Sequence, residues 1–374
     1  MTALGFLLVA LPLGFADESA SVRHEADPRV NALLAPIREK HELPGIVGGI
    51  LVGDKLVAVG VVGARKTGAP EKFTVDDRVH FGSDTKAMTA TRIAMLVEQG
   101  KLKWDSTLAS VFPDLKGAMH AEYRDVTLAE LLTHRAGLPM NPASWWDLGS
   151  SKPTTEQRLT LLKQVLKNPP ETKPGTKFEY SNVGYGLAAA MAERVAKSSW
   201  EDLMRDGLFK PLKMTSAGFG PPGRKGKVEQ PWGHGVENGE LKATQTDNAP
   251  AIGPAGTVHC SLPDWAKFVA LHVQGEQGNG RLLKAESFRY LHEPPKGQDF
   301  AFGWASVHRD WARGQALTHG GSNTMWYAVV WIAPKRNFAV LVATNRGGKE
   351  GTRACDDASA ALIEFFEKHF AQRQ

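Results

Sequence analysis

The sequence predicts a mixed α/β (α+β) protein: one antiparallel sheet assembled from both ends of the chain, flanked by N- and C-terminal helices, with an inserted mainly helical domain. Three observations predict this fold class. Runs rich in β-forming residues lie near the two ends, at 46–52, 55–62, 300–307, 316–323, 326–333 and 337–344. Amphipathic patterns of period 3.6 at 28–41 and 353–369 predict the flanking helices. Helical patterns fill the middle, at 86–97, 127–133, 155–167, 182–197 and 200–208.

Turn residues separate these elements. Gly53-Asp54 between the first two β runs indicates a hairpin, and Pro334–Asn337 indicates a turn between the last two. Gly100 ends the helix that begins after residue 83. We therefore expect residues 28–80 and 250–374 to form the sheet with its flanking helices, and residues 81–249 to form the mainly helical domain.

The first 16 residues differ from the rest of the chain. They carry no charged side chain, contain Pro12, and end in Gly14-Phe15-Ala16 before Asp17. An apolar run of this length is too short to span a bilayer, and a small-x-small ending is typical of a secretory signal peptide. We expect cleavage near Ala16, export to the periplasm or the cell exterior, and no stable membrane insertion after cleavage.

The composition excludes several classes of function. Apolar residues make up 42% of the 374 residues and charged residues 23%, which is typical of a soluble globular protein. The net charge of +5 is spread along the chain without a long basic run, so no nucleic-acid partner is expected. Cys260 and Cys355 are too few for a zinc site, and no metal or other cofactor is expected. In an exported protein these two cysteines either form a disulfide or stay free.

Ser83-Asp84-Thr85-Lys86 is the strongest chemical signal in the chain. A serine hydroxyl is a weak nucleophile because its proton is hard to remove. A lysine three residues later on a helix lies one turn away on the same face and can help to take that proton. The pattern predicts that Ser83 stands at the beginning of a helix, where the helix dipole favours developing negative charge.

Two later segments complete a possible acyl-transfer site. Tyr180-Ser181-Asn182 begins 94 residues after Lys86, and Thr318–Ser322, which contains His319-Gly320-Gly321, lies on a predicted strand. A tyrosine can act as acid or base when a neighbouring cation lowers its pKa. A strand of small residues lets a substrate backbone lie beside it. The loop 139–154, with Trp145-Trp146, is of the polar and aromatic kind that often borders a site.

Together these segments resemble the serine β-lactamase and penicillin-binding-protein superfamily, in the branch of class C β-lactamases, DD-peptidases and related esterases. The motifs of that branch are S-x-x-K, Y-x-N and K-T-G or H-x-G. Leu131–Pro139 is similar to its L-L-T-H-x-S-G-L loop, and Pro174–Leu187, Leu208–Met214 and Gly253–Phe268 are similar to further family segments in the same order. The resemblance extends over residues 30 to 370.

The resemblance implies a role for each matching residue. Ser83 would be the acylated nucleophile, Lys86 would assist proton transfer, and Tyr180 would act as general base toward Ser83 and as acid toward the leaving group. Whether Lys86 or Tyr180 takes the first proton stays open, because the two would titrate as a coupled pair. The substrate-binding residues would be Asn182, His319, Gly321 and Ser322, with the backbone N–H groups of Ser83 and Ser322 as the oxyanion hole. Independently of the resemblance, we expect His134 to brace its loop.

Two residues of the third motif differ from those of β-lactamases, and both differences restrict the substrates that we predict. His319 stands where β-lactamases carry the lysine that helps to bind the substrate carboxylate, and a histidine is mostly neutral at pH 7. Gly320 lacks the threonine hydroxyl. We therefore predict a serine hydrolase that acts through an acyl-enzyme on a small-molecule ester, a D-amino-acid peptide or a peptidoglycan-like substrate. The alternatives are a weak β-lactamase and a non-catalytic module that kept the fold.

Overall fold

A computed structural model describes residues 24–144, 148 and 151–371. The expected signal segment 1–16 and the predicted site-bordering pair Trp145-Trp146 lie outside the described residues. In the described part of the chain no helix is long and apolar enough to cross a membrane.

The strands within the described residues are β1 (Gly45–Val52), β2 (Lys55–Gly63), β3 (Arg78–His80), β4 (Gly218–Phe219), β5 (Gly233–Glu237), β6 (Glu240–Thr244), β7 (Val258–Ser261), β8 (Ala305–Arg309), β9 (Gly314–Ser322), β10 (Tyr327–Ala333) and β11 (Phe338–Thr344). Six of them form an antiparallel sheet in the order β2-β1-β11-β10-β9-β8. β1 pairs with β11 from Ile46 against Thr344 to Val52 against Phe338. This pairing joins the two ends of the chain and confirms the predicted fold class.

The helices within the described residues are α1 (Pro28–Lys40), α2 (Thr85–Glu98), α3 (Leu108–Val111), α4 (Leu128–Leu132), α5 (Thr154–Leu166), α6 (Asn182–Ala196), α7 (Trp200–Met204), α8 (Gly253–Gly256), α9 (Leu262–Gln274), α10 (Ala285–His292) and α11 (Gly348–His369). Shorter 3₁₀ turns connect several of them, including Gly82–Asp84 before α2.

Helices cover both faces of the large sheet. Side chains alternate across a strand, so Ile46 and Ile50 of β1 pack with α1 and α11, whereas Val47 belongs to the core that contains α9. Gly48 and Gly49 allow this close packing, since a Cβ on Gly48 would contact Leu362 of α11 and one on Gly49 would contact Leu262 of α9. The glycines of β1 thus let helices lie tightly on the sheet from either side.

α2 is the central helix of the molecule. Every residue from Thr85 to Ala94 is buried, which means that α2 has neighbours around its whole circumference. α6 and α8 pack against α2, and Ala87 and Ala90 are among its buried residues. The segment that begins at Thr85, directly after Ser83, is therefore deeply buried.

Several elements differ from the sequence-based expectations. The strand predicted at 300–307 begins only at Ala305, because Gly303 turns the chain with φ +82° and Phe300 makes just an isolated bridge to Ala305. α11 begins at Gly348 rather than at 353. Helices α9 and α10 and the hairpin β5–β6 were not predicted.

The two cysteines are free. Cys260 lies in β7 and Cys355 in α11, and both thiols are buried. Of the two alternatives left open by the sequence, the structure therefore has free thiols rather than a disulfide. Burial raises the pKa of both thiols well above the usual range, which makes them poor nucleophiles.

Candidate active site

Ser83 occupies the 3₁₀ turn Gly82–Asp84, immediately before α2. The predicted position at the beginning of a helix is thus found. Gly82 has φ +51°, and a Cβ on this residue would collide with the backbone nitrogen of Ser322. Only glycine combines this backbone conformation with so close an approach of β9. The turn that carries Ser83 therefore lies directly against the end of β9.

Lys86 is completely buried one helical turn from Ser83. Its Nζ lies 3.1 Å from Ser83 Oγ, 2.8 Å from Asn182 Oδ1 and 2.8 Å from the carbonyl oxygen of Ala255. The three contacts come from the 3₁₀ turn before α2, from α6 and from α8, so the amine is held by three different elements. The helical spacing brings Lys86 to the serine, and the tertiary fold brings Asn182.

Tyr180 lies in the loop before α6 and also contacts Ser83. Its hydroxyl donates to Ser83 Oγ over 2.7 Å, and its ring centre is 4.7 Å from Lys86 Nζ. The His134 ring packs on the Tyr180 ring with centroids 4.4 Å apart. His134 Nδ1 also accepts a hydrogen bond from the Ser181 N–H over 3.0 Å. These contacts fit the expected bracing role of His134.

Burial controls the charge of these groups. Burial lowers the pKa of Lys86 well below its ordinary 10.5 and raises the pKa of Asp84 well above its ordinary 3.8. Both directions favour a neutral amine beside a neutral carboxylic acid. Burial also raises the pKa of Tyr180 to about 12, although its hydrogen bond with Ser83 acts in the opposite direction. The cation that the sequence argument requires for a basic tyrosine therefore does not lower the pKa of Tyr180.

The third motif forms the end of β9. His319 Nδ1 donates to the Gly303 carbonyl oxygen over 2.6 Å. Burial and the nearby Lys86 lower the pKa of His319 to about 4, so this side chain is neutral at physiological pH. A Cβ on Gly320 would lie 2.5 Å from the Tyr327 hydroxyl, and one on Gly321 would collide with the Phe81 carbonyl oxygen. No side chain fits at either glycine without a rearrangement.

One edge of β9 is open over residues 319–322. β8 pairs with β9 from Gly314 to Thr318, and no described strand continues the pairing beside 319–322 on that side. The other side of the segment pairs with β10. The backbone groups on the open side can therefore bind an extended ligand.

An aromatic surface lies next to the motif residues. Phe300 packs against the rings of His134, His319 and Phe178, at centroid distances of 4.9, 5.6 and 5.6 Å. The Phe178 side chain is partly open to solvent. We refer to Phe178 and Phe300 as the aromatic wall. Sequence reasoning did not identify it, because the two residues are 122 positions apart.

Two further contacts were also missed. Asn182 Nδ2 donates to Asn141 Oδ1 over 2.8 Å, and the acceptor at Ala255 is a main-chain carbonyl. A backbone acceptor leaves no signature in the residue type. Asn141 lies in the loop 139–154, which was expected from the sequence to border a site. That expectation is the one signal that could have indicated Asn141.

A family model described as Beta-lactamase matches residues 30–364 of this chain. The chain belongs to the β-lactamase family. The match covers both ends of the sheet and all three motifs, which confirms the resemblance inferred from the sequence.

Curated relatives agree with this assignment. Penicillin-binding protein 4 of Amycolatopsis lactamdurans is 26% identical over 333 residues, which cover 83% of each chain. Protein flp of Staphylococcus aureus (strain COL) is 22% identical over 331 residues, and the aligned part spans 86% of this chain but 64% of that protein.

Solved structures share the fold. The octameric penicillin-binding protein homologue from Pyrococcus abyssi superimposes with a TM-score of 0.73 at 22% identity, covering 90% of this chain and 77% of that one. The class C β-lactamase from Rhodobacter sphaeroides gives a TM-score of 0.73 at 21% identity, covering 91% and 100%. The antiparallel sheet with its helices is therefore the fold of this family.

Proposed function

We propose that this member of the β-lactamase family is an exported serine hydrolase that forms an acyl-enzyme at Ser83 and cleaves uncharged esters. The observation that carries the proposal is the position of Ser83 Oγ, which lies 3.1 Å from Lys86 Nζ and 2.7 Å from the Tyr180 hydroxyl. Nucleophile and proton-transfer groups within hydrogen-bonding distance are the mark of covalent catalysis. We also propose that residues 28–80 with 250–374, and residues 81–249, act as the two domains between which the substrate binds.

Lys86 is the general base in this proposal. As a neutral amine it has two N–H groups and one lone pair. Asn182 Oδ1 and the Ala255 carbonyl oxygen can only accept, so they take the two N–H groups. The lone pair is then left for the Ser83 hydroxyl. The raised pKa of Tyr180 keeps its proton in place, which favours a donor role over a base role.

Acylation follows from these positions. Lys86 takes the Ser83 proton while Oγ attacks the ester carbonyl carbon, and the carbonyl oxygen becomes the oxyanion. We assign the backbone N–H groups of Ser83 and Ser322 as its donors. Tyr180 passes its proton to the departing alkoxide and regains one from Lys86. Water then attacks the acyl-enzyme, with the same groups removing its proton and returning one to Ser83.

The surroundings of the third motif support a substrate without a carboxylate at this position. His319 is neutral, and the Tyr327 hydroxyl fills the space in which a side chain at Gly320 would have to lie. Neither a cation nor a hydroxyl is thus presented from these two positions. The aromatic wall beside His319 favours an apolar acyl or alcohol group.

A D-amino-acid peptide is the second candidate substrate. The open edge of β9 at 319–322 is the observation that favours it, because a peptide backbone can pair with a free strand edge.

The proposal is tested by offering the mature protein p-nitrophenyl butyrate, nitrocefin and a D-Ala-D-Ala peptide, and by following intact mass. We expect the ester to be turned over fastest and a fluorophosphonate probe to add once, at Ser83. Nitrocefin turnover comparable to that of the ester would instead identify a β-lactamase. Faster release of D-Ala would identify a peptidase, and absence of labelling would identify a non-catalytic module.

The pH profile provides a second prediction. Because Lys86 must be unprotonated, kcat/KM is expected to rise with pH as the amine loses its proton and then to stay level. Burial places this midpoint well below 10.5. His319, with a pKa of about 4, is neutral across the range from pH 5 to 10, and Tyr180 keeps its proton until about pH 12. Stopped-flow acylation rates from pH 5 to 10 check the profile, and a fall between pH 8 and 10 would contradict it.

A further inference from the structure

A buried hydrogen-bonded chain lies on the far side of the nucleophile turn. His80, Asp247 and Asn323 are almost fully buried. His80 Nε2 lies 2.7 Å from Asp247 Oδ2, and Asn323 Nδ2 donates to Asp247 Oδ1 over 3.0 Å. Among the described residues, none of the three is hydrogen-bonded to Lys86 or Tyr180, and none belongs to the S-x-x-K, Y-x-N or H-x-G triplets.

The direction of each hydrogen bond follows from its partners. The Gly82 N–H donates to His80 Nδ1 over 3.1 Å, so Nδ1 carries no proton. The proton of the neutral ring is then on Nε2, which donates to Asp247. Asp247 accepts three hydrogen bonds, from His80, from Asn323 and from the Asn248 N–H. A buried carboxylate with this many donors is firmly held.

The hydrogen-bonded residues His80, Asp247 and Asn323 reach the proposed oxyanion hole from both sides. Gly82 precedes Ser83, and Asn323 follows Ser322. Asn323 Oδ1 also accepts from the N–H groups of Met325 and Trp326, which fixes the loop after β9. These hydrogen bonds therefore connect the two segments that carry the two proposed oxyanion donors.

We propose that His80, Asp247 and Asn323 are positioning residues that set the separation of the Ser83 and Ser322 N–H groups. The inference rests on the proposed acyl-transfer function and adds residues that its motifs do not contain. An oxyanion donor acts only at the correct distance from the developing charge, and losing one costs about 10²–10³ in kcat. A donor that is displaced rather than removed should lower kcat by part of that factor.

Asp247 is the residue to test, because the hydrogen bonds from His80 and from Asn323 both end on its carboxylate. Asp247→Asn keeps the shape but replaces one acceptor oxygen with a donor, so the links to His80 and Asn323 cannot both persist. We expect kcat per labelled Ser83 to fall by about 10- to 100-fold. KM for p-nitrophenyl butyrate should stay within about twofold, and the Ki of phenylboronic acid, which forms a tetrahedral adduct with Ser83, should rise in parallel.

Asp264→Asn is the matched control. Asp264 is also a buried carboxylate that accepts several hydrogen bonds, from Ser216 and Lys267, but it lies at the beginning of α9. This variant should lose thermal stability without a change in kcat per labelled serine. The comparison separates a loss of folding from a loss of positioning.

Two substitutions at His80 separate its two hydrogen bonds, the one with the Gly82 N–H and the one with Asp247. Asn places its oxygen near the position of Nδ1 and keeps the acceptor for Gly82, whereas Gln places its amide near Nε2 and keeps the donor to Asp247. Because the Gly82 N–H is adjacent to the Ser83 amide, we expect His80→Gln to lose more kcat than His80→Asn.

The outcomes are distinguishable from failure of the proposed function. Wild-type protein that neither hydrolyses the ester nor binds the boronate would overturn both proposals. Active wild-type protein with an Asp247→Asn variant that keeps kcat and boronate Ki within twofold would overturn the positioning role alone. A fall in Tm with unchanged kcat per labelled serine would also overturn it.

Discussion

Replacing Ser83 with alanine is expected to abolish ester turnover, with kcat lowered by about 10⁴-fold or more, while the protein stays folded. Removing the nucleophile of a covalent mechanism eliminates the acyl-enzyme, and only binding and oxyanion stabilisation remain. The structural cost is small, because the Ser83 side chain is only partly buried and, among the described residues, its Oγ is hydrogen-bonded to Lys86 and Tyr180 alone. Losing one such hydroxyl changes the free energy of unfolding by about 1 kcal/mol.

The measurement combines steady-state kinetics, intact mass after fluorophosphonate treatment, and a thermal melt. Ser359→Ala is the matched control, since Ser359 is a buried serine on α11 whose Oγ has no hydrogen-bond partner among the described residues. That variant should keep full activity and labelling. Turnover by Ser83→Ala at more than a few per cent of wild type would refute the assignment of the nucleophile.

Lys86→Met is expected to lower the acylation rate by about 10²–10⁴-fold, which is the usual contribution of a general base. Methionine has nearly the same length but no lone pair that can take the Ser83 proton. The acid limb of the pH profile should disappear, because the group whose deprotonation produces it has been removed. Single-turnover acylation of p-nitrophenyl butyrate across the pH range measures both effects.

Two comparisons make this result specific. Tyr180→Phe should lower the rate but keep the acid limb, since Lys86 is still present. Lys163→Met, at an exposed position of α5, should behave like wild type. If the limb persisted in Lys86→Met and vanished in Tyr180→Phe, then Tyr180 would be the base and the order of proton transfer proposed above would be wrong.

Much of the fold was predictable because its signals are local. The β runs, the turn residues between them and the amphipathic helices at both ends each depend on neighbouring residues only. The hairpin β5–β6 was missed although Asn238-Gly239 supports it, since both residues have positive φ as a two-residue hairpin turn requires. α9 was missed although Ser261, with Pro263 two residues later, is a good helix start.

The rest of the site could not be predicted from local signals. Asp247 lies between β6 and the turn at 250–252, and nothing in its neighbours indicates that its carboxylate meets His80 and Asn323. Phe178 and Phe300 likewise meet only through the tertiary fold. Contacts between distant positions leave no trace in one sequence.

The sequence by itself predicted Ser83 as the nucleophile with Lys86 beside it, because helical periodicity places residues three apart on one face whatever surrounds them. The family motifs added Tyr180, Asn182 and His319. Only the tertiary structure decided the charge of these groups, since burial moves the pKa of Lys86 downward and that of Tyr180 upward. Burial depends on the packing of the chain around α2, and so the proposed choice of Lys86 as the base rests on the fold and not on the local sequence.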